Sequence, residues 1–136
     1  MEQVVLKWKG PFGTRDRMPE ELKGWPGLYL IAYDSEILYV GKAETEGAFK
    51  RAKDHFRGQR DNTGRWILNR RDESRIHIWI TARSWDDLIS DAEKLLIFRL
   101  NPRANVNHVD KYNGRVLNII NEGAYPAKLS SHIEYP

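Results

Sequence analysis

A chain of 136 residues, 40% of them hydrophobic, fits one domain built around one core. It has no cysteine, which excludes disulfides and thiolate metal sites. Its net charge is only +3, but Lys42 to Arg75 holds ten Lys/Arg against six Asp/Glu, leaving −1 for the rest. Such a basic segment suits a polyanion such as nucleic acid, although an ordinary solvated helix face has the same composition. No apolar run approaches the ~20 residues of a membrane span and no secretory pattern opens the sequence. A soluble, cytoplasmic protein that binds no membrane is expected.

In chain order, Val4-Val5-Leu6 suggests a short strand, broken at Gly10-Pro11-Phe12-Gly13. Pro19 to Leu22 suggests a helical turn. Trp25-Pro26 leads into Gly27–Tyr33, whose β-branched and aromatic residues predict a strand. Glu36–Gly41 predicts a second strand. A two-residue loop at Asp34-Ser35 would put Tyr29 opposite Val40 and turn Tyr29 and Tyr39 to opposite faces. A site that uses both tyrosines therefore requires an odd loop or a bulge.

A helix is expected from about Glu46 to Arg57, with Thr45 as a cap, bringing Arg51 and His55 onto one face. A loop follows from Gly58 to Gly64, and a second helix from Arg65 to Arg71. Arg75–Thr81 predicts a third strand. The longest helix begins at a capping-box-like Ser84-Trp85-Asp86-Asp87 and ends at Asn101-Pro102. Its apolar stripe is Leu88, Ile89, Ala92, Leu96 and Leu100, and Glu93 sits on its margin. A carboxylate there is costly unless something pairs with it. Val116–Ile120 suggests an added strand; beyond Gly123 the sequence predicts no element.

The order Gly27-Leu28-Tyr29, Tyr39-Val40-Gly41, Arg51, His55, Glu93, Pro102-x-x-Asn105 resembles the GIY-YIG nuclease family, with Leu28 and Val40 in place of the motif isoleucines. The resemblance covers about residues 25–107 and leaves 1–24 and 108–136 as extensions. It implies a single α/β domain with a small, mostly antiparallel sheet of about three strands flanked by helices. It also implies a metal-dependent endonuclease that hydrolyses phosphodiester bonds, in DNA more than in RNA.

By the same resemblance Tyr29 would be the general base, Tyr39 would position phosphate or water, and Arg51 would grip the phosphate through its planar fork. Lys42 would help position water. His55 would assist proton movement or bind phosphate, or simply pack on Phe56. Glu93 would hold one Mg²⁺ or Mn²⁺. Gly27, Gly41 and Asn105 would shape the site, with Asn107 competing for the role of Asn105. His77 and His108 match nothing and are expected to be structural or on the surface. A free tyrosine is about one part in a thousand ionised at pH 7, so Tyr29 needs help from nearby cations. Lys50, Lys53, Arg57, Arg65, Arg70 and Arg71 are the candidate nucleic-acid contacts. The alternative is a non-cleaving nucleic-acid-binding module of the same fold; a protein-interaction domain would need an exposed apolar patch. The sequence indicates no oligomeric state.

Overall fold

The computed structural model describes residues 2–57, 61–81 and 87–135. Along the chain run β1 (Glu2–Gly13), β2 (Gly27–Tyr33), β3 (Glu36–Ala43), α1 (Ala48–Asp54), α2 (Asn62–Leu68), β4 (Ile76–Thr81), α3 (Asp87–Leu100), β5 (Leu117–Gly123) and β6 (His132–Glu134). The six strands form one sheet in the order β3-β2-β4-β1-β5-β6. Its pairs are antiparallel except for the parallel pair of β1 and β5.

The expected sheet of about three strands was thus half the observed one. The first strand is not three residues but 12, because Gly10-Pro11 sits in a bulge and does not end it. The three-residue turns Glu20–Leu22 and Glu73–Arg75 are 3₁₀ helices. Among the described residues, no helix is long and apolar enough to cross a membrane.

Alternation along the strands sends side chains to two faces. Leu28, Leu30 and Ala32 join Val4, Leu6 and Trp8 under α3, against Ile89, Ala92 and Leu96. Tyr29 and Ile31 join Ile76, Ile78 and Ile80 under α1 and α2, against Phe49, Ala52 and Ile67. Both faces of β4 are therefore covered, which is why it reads as a nearly continuous apolar run.

The hairpin resolves the register question through a bulge. Tyr33 pairs with Glu36 across the two-residue turn Asp34-Ser35, but Ile31 pairs with Tyr39 and Ala32 with Ile37, so Leu38 is the extra residue. Tyr29 lies opposite Gly41, and both motif tyrosines come to the α1 face.

Four helix boundaries differ from expectation. Gly47, not Thr45, precedes α1, which ends at Asp54 rather than Arg57. Asp61 caps α2, its side chain accepting from Gly64 N, so that helix starts three residues before Arg65 and stops at Leu68. The end of α3 is as expected, with Asn101 in the left-handed region before Pro102. The Ser84-Trp85-Asp86 start of that helix, and Gly58 to Arg60, lie outside the described residues.

Candidate active site

The site is assembled where β2, β3, α1 and α2 meet. Tyr29 is 1% exposed, and its ring lies across the opposite strand at Gly41. A Cβ at Gly41 would come within 2.2 Å of the phenol ring, so the glycine of the second motif is there to admit the tyrosine of the first. Gly27, with φ of +149°, starts the strand in a conformation that a side chain would strain.

The Tyr29 hydroxyl is 2.9 Å from Nε2 of His55, and Nδ1 of His55 is 2.7 Å from Oδ2 of Asp61. An ionised Asp61 only accepts, so Nδ1 carries the proton and Nε2 is left to accept from Tyr29. Asp61 is itself pinned, because its Oδ1 accepts from Gly64 N at 2.7 Å. A Cβ at Gly64 would meet the His55 carbonyl oxygen at 1.7 Å, so the start of α2 can abut His55 only with glycine there. The sequence contains this signal as Asp61-Asn62-Thr63-Gly64 ahead of Trp66-Ile67-Leu68, but a helix begun at Arg65 hides it.

Burial is the main force on both phenols. It pushes Tyr29 upward, with Tyr39 adding to the rise and Arg51 opposing it. It also pushes Tyr39 upward, with Glu93 adding and Arg51 opposing. Neither phenol stands ionised in advance. Tyr39 packs edge-on to His55, centroids 5.2 Å apart, and it reaches the surface where Tyr29 does not.

The surface beside Tyr39 is an open cleft of about 360 Å³, lined also by Lys42, Thr63, Glu93, Asn105 and His108. Glu93 is 8% exposed, and burial raises its carboxyl to about 7, with Lys42 and Lys94 pulling it down. Lys42 Nζ is committed elsewhere, donating to Ser90 Oγ at 3.1 Å and pairing with Glu44 at 3.4 Å. Arg51 is half-exposed, with Nη1 donating to Glu46 Oε1 at 3.2 Å. Among the described residues no three His, Asp or Glu cluster as a metal cage. A metal here would have to rest on Glu93 and complete its shell with waters and substrate oxygens, which suits Mg²⁺ or Mn²⁺. A buried carboxylate that has no direct ion pair among the described residues fits such a cation.

Asn105, not Asn107, fixes the loop. Its Oδ1 accepts from Val40 N and its Nδ2 donates to Val40 O, both at 2.9 Å. Asn107 lines the cleft, and so does His108, which matches no motif position and is expected to be structural or on the surface. Burial lowers the His108 imidazole pKa, with Lys94 and Lys42 acting the same way. No sequence pattern marks His108 or Thr63. His77 stays apart from the site, beside Trp79.

One nucleic-acid contact is corrected. Lys53 is 3% exposed, lies over the Phe49 ring at 5.3 Å and donates to the Asp16 carbonyl oxygen, so it is a packing residue. Lys50 is exposed but paired with Asp54 and Glu46. Arg57, Arg65 and Arg70 are exposed, and Arg71 is partly covered.

No family model matches the chain, and no curated protein does. Among solved structures, it is similar to the GIY-YIG N-terminal endonuclease domain of UvrC from Thermotoga maritima in point mutants bound to that domain's catalytic divalent cation. These matches have 20–21% identity and a TM-score of 0.46, covering 66% of this chain and all of the other. The similarity is to a GIY-YIG nuclease-like fold.

Proposed function

We propose that the chain hydrolyses phosphodiester bonds in nucleic acid, DNA in preference to RNA, using one Mg²⁺ or Mn²⁺ held by Glu93. The observation that carries this is the hydrogen-bond chain from buried Tyr29 and His55 to the exposed Asp61, next to a cleft walled by Tyr39, Lys42 and Glu93.

Tyr29 takes the proton of the attacking water while giving its own to Nε2 of His55. The step needs no standing phenolate, which the raised pKa of Tyr29 disfavours. Asp61 holds the imidazole in the tautomer that can receive the proton and offsets the charge that then forms. Tyr39 orients the water at the cleft wall. Arg51 binds the scissile phosphate by exchanging its Glu46 contact for a phosphate oxygen. A divalent cation on Glu93 would supply charge stabilisation at the leaving oxygen. Water oxygen bonds to phosphorus, the phosphorus–oxygen ester bond breaks, and the strand ends as a phosphate and a hydroxyl.

The test is incubation with single-stranded, duplex and branched DNA, and with RNA, each with Mg²⁺ or with EDTA. Cleavage by the wild-type protein that stops in EDTA and in a folded Glu93→Gln variant is expected. Cleavage that persists in Glu93→Gln would remove the metal assignment. Metal-independent retention of the substrates without any cleavage would leave the non-cleaving binding module as the better description.

A further inference from the structure

Beside the cleft lies a second, open trough walled by the same three elements. β3 runs from Tyr39 to Glu36, α2 from Thr63 to Trp66, and the loop after α3 from Asn105 to Arg103. Three residues of strand separate the two ends by about 10 Å. At the far end stands Trp66, 41% exposed.

Guanidinium groups and rings alternate around this indole. Arg75 lies over Tyr33 at 4.7 Å, Arg71 over Tyr33 at 5.8 Å and over Trp66 at 4.7 Å, and Arg103 over Trp66 at 6.0 Å. Asp34 neutralises Arg75, and Glu36 neutralises Arg103 through bonds of 2.7 and 2.8 Å. Arg71 donates only to the carbonyl oxygens of Trp66 and Ile67, and Arg70 makes no bond or ion pair among the described residues. The positive charge left over at the trough is therefore that of Arg70 and Arg71. The Arg103 contact, at the outer limit of a cation–π distance, can yield to another flat group without stranding a charge, because Glu36 still holds Arg103.

We propose that Trp66 is a stacking platform for an unpaired base, with Arg70 and Arg71 on the strand's phosphates. The substrate is then single-stranded, or locally unpaired, beside the bond that is cut; this rests on the hydrolytic role given to the cleft. Bases inside a duplex cover each other's faces, so only an unpaired base can lie on the indole. β3, α2 and the loop after α3 lead from the cleft at Tyr39 to the trough at Trp66, and the unneutralised charge of Arg70 and Arg71 there is complementary to phosphate.

Binding is measured by fluorescence anisotropy in EDTA, so that cleavage plays no part. The probes are labelled single-stranded DNA, single-stranded RNA, the same DNA lacking its bases, and a duplex. Trp66→Ala is expected to weaken both single strands by about five- to a hundredfold, the range for one stacked base. Trp66→Phe keeps a stacking face and should lose less than about threefold on the same scale. Abasic and duplex probes should not distinguish wild type from Trp66→Ala. Arg70→Gln should weaken all probes and lower the salt slope by about 1. Unchanged single-strand affinity in Trp66→Ala, or an equal loss on the abasic probe, overturns the platform. A preference between DNA and RNA tells which strand the platform serves. Cleavage is scored separately with Mg²⁺: Glu93-dependent cutting that survives a failed stacking test leaves the hydrolytic reading standing, and Trp66-dependent binding without cutting leaves only the platform.

Discussion

The sheet has two halves of three strands, and they do different work. In β3-β2-β4 the buried face carries titratable groups, with Tyr29 joined to His55 and Asp61 and with Tyr39 and Glu93 at the rim. In β1-β5-β6 the buried Trp8 and Asn121 side chains are paired and closed, although Asn118 Oδ1 of β5 has no hydrogen-bond partner among the described residues. Trp8 Nε1 donates to Asn121 Oδ1 at 2.8 Å, and Asn121 Nδ2 donates to Ser130 O at 2.8 Å. One half holds groups that can exchange protons, while the other holds groups whose hydrogen bonds have no reason to change. The difference teaches that the motif half is not stabilised to its limit, because it keeps a buried carboxylate and phenol that the proposed hydrolysis would use. The terminal half extends the core that supports it.

The largest separation should come from the proton chain. Tyr29→Phe should lower the cleavage rate by at least about a hundredfold while leaving the thermal midpoint nearly unchanged. Tyr39→Phe should lose less, because it orients the water and does not receive its proton. Asp61→Asn keeps a cap for α2 but offers His55 no charge, so a loss of about tenfold or more with little unfolding is expected. A Tyr39→Phe loss larger than that of Tyr29→Phe would move the base to the cleft wall.

Next in size is the stability cost of Glu93. Its carboxyl is raised in the folded protein to about 7 from an ordinary 4.5. The folded state therefore keeps a proton that the unfolded state releases, and stability falls as pH rises between those values. Glu93→Gln should be more stable than wild type by roughly 1–3 kcal/mol at pH 8. The gap should close by pH 4 and shrink when Mg²⁺ is added. Denaturant titrations at the two pH values give the answer, and a pH-independent gap would mean that burial of the charge is not the cause.

The other half sharpens the contrast from the opposite side. Asn121→Ala strands the Trp8 indole donor and should cost about 1–3 kcal/mol in urea unfolding. Cleavage below the unfolding transition should stay within the wild-type range. A loss of rate as large as that of Asp61→Asn would show that the two halves are not separable.

How far this was legible depends on which interactions are local. The motif order marks Tyr29, Tyr39, Arg51 and Glu93 as candidates, and the bulge at Leu38 follows from requiring both tyrosines on one face. Asp61 escaped because its partner His55 is met through a helix start that only the Gly64 contact explains. Lys53 read as surface charge, although its long stem crosses Phe49 and its ammonium ends on a backbone carbonyl, a destination that sequence spacing does not encode. β1 and β5 were under-read because pairing between residues more than a hundred positions apart leaves no periodic trace, and β6 because three residues are too few to show a period.

The two-point clamp of Asn105 on Val40 has a consequence for how this molecule meets copies of itself. β3 is an outer strand, and an outer strand offers unpaired amides to any passing chain. A carboxamide has the same donor and acceptor as a peptide unit, so one side chain imitates the next strand at Val40, while Ala104 N takes the Leu38 carbonyl. The opposite margin, β6, is three residues long, too short to template a partner well. The loop that forms the cleft wall thus also closes the sheet to fibril-like growth, and any substitution that loosens it for catalysis would expose a sticky edge.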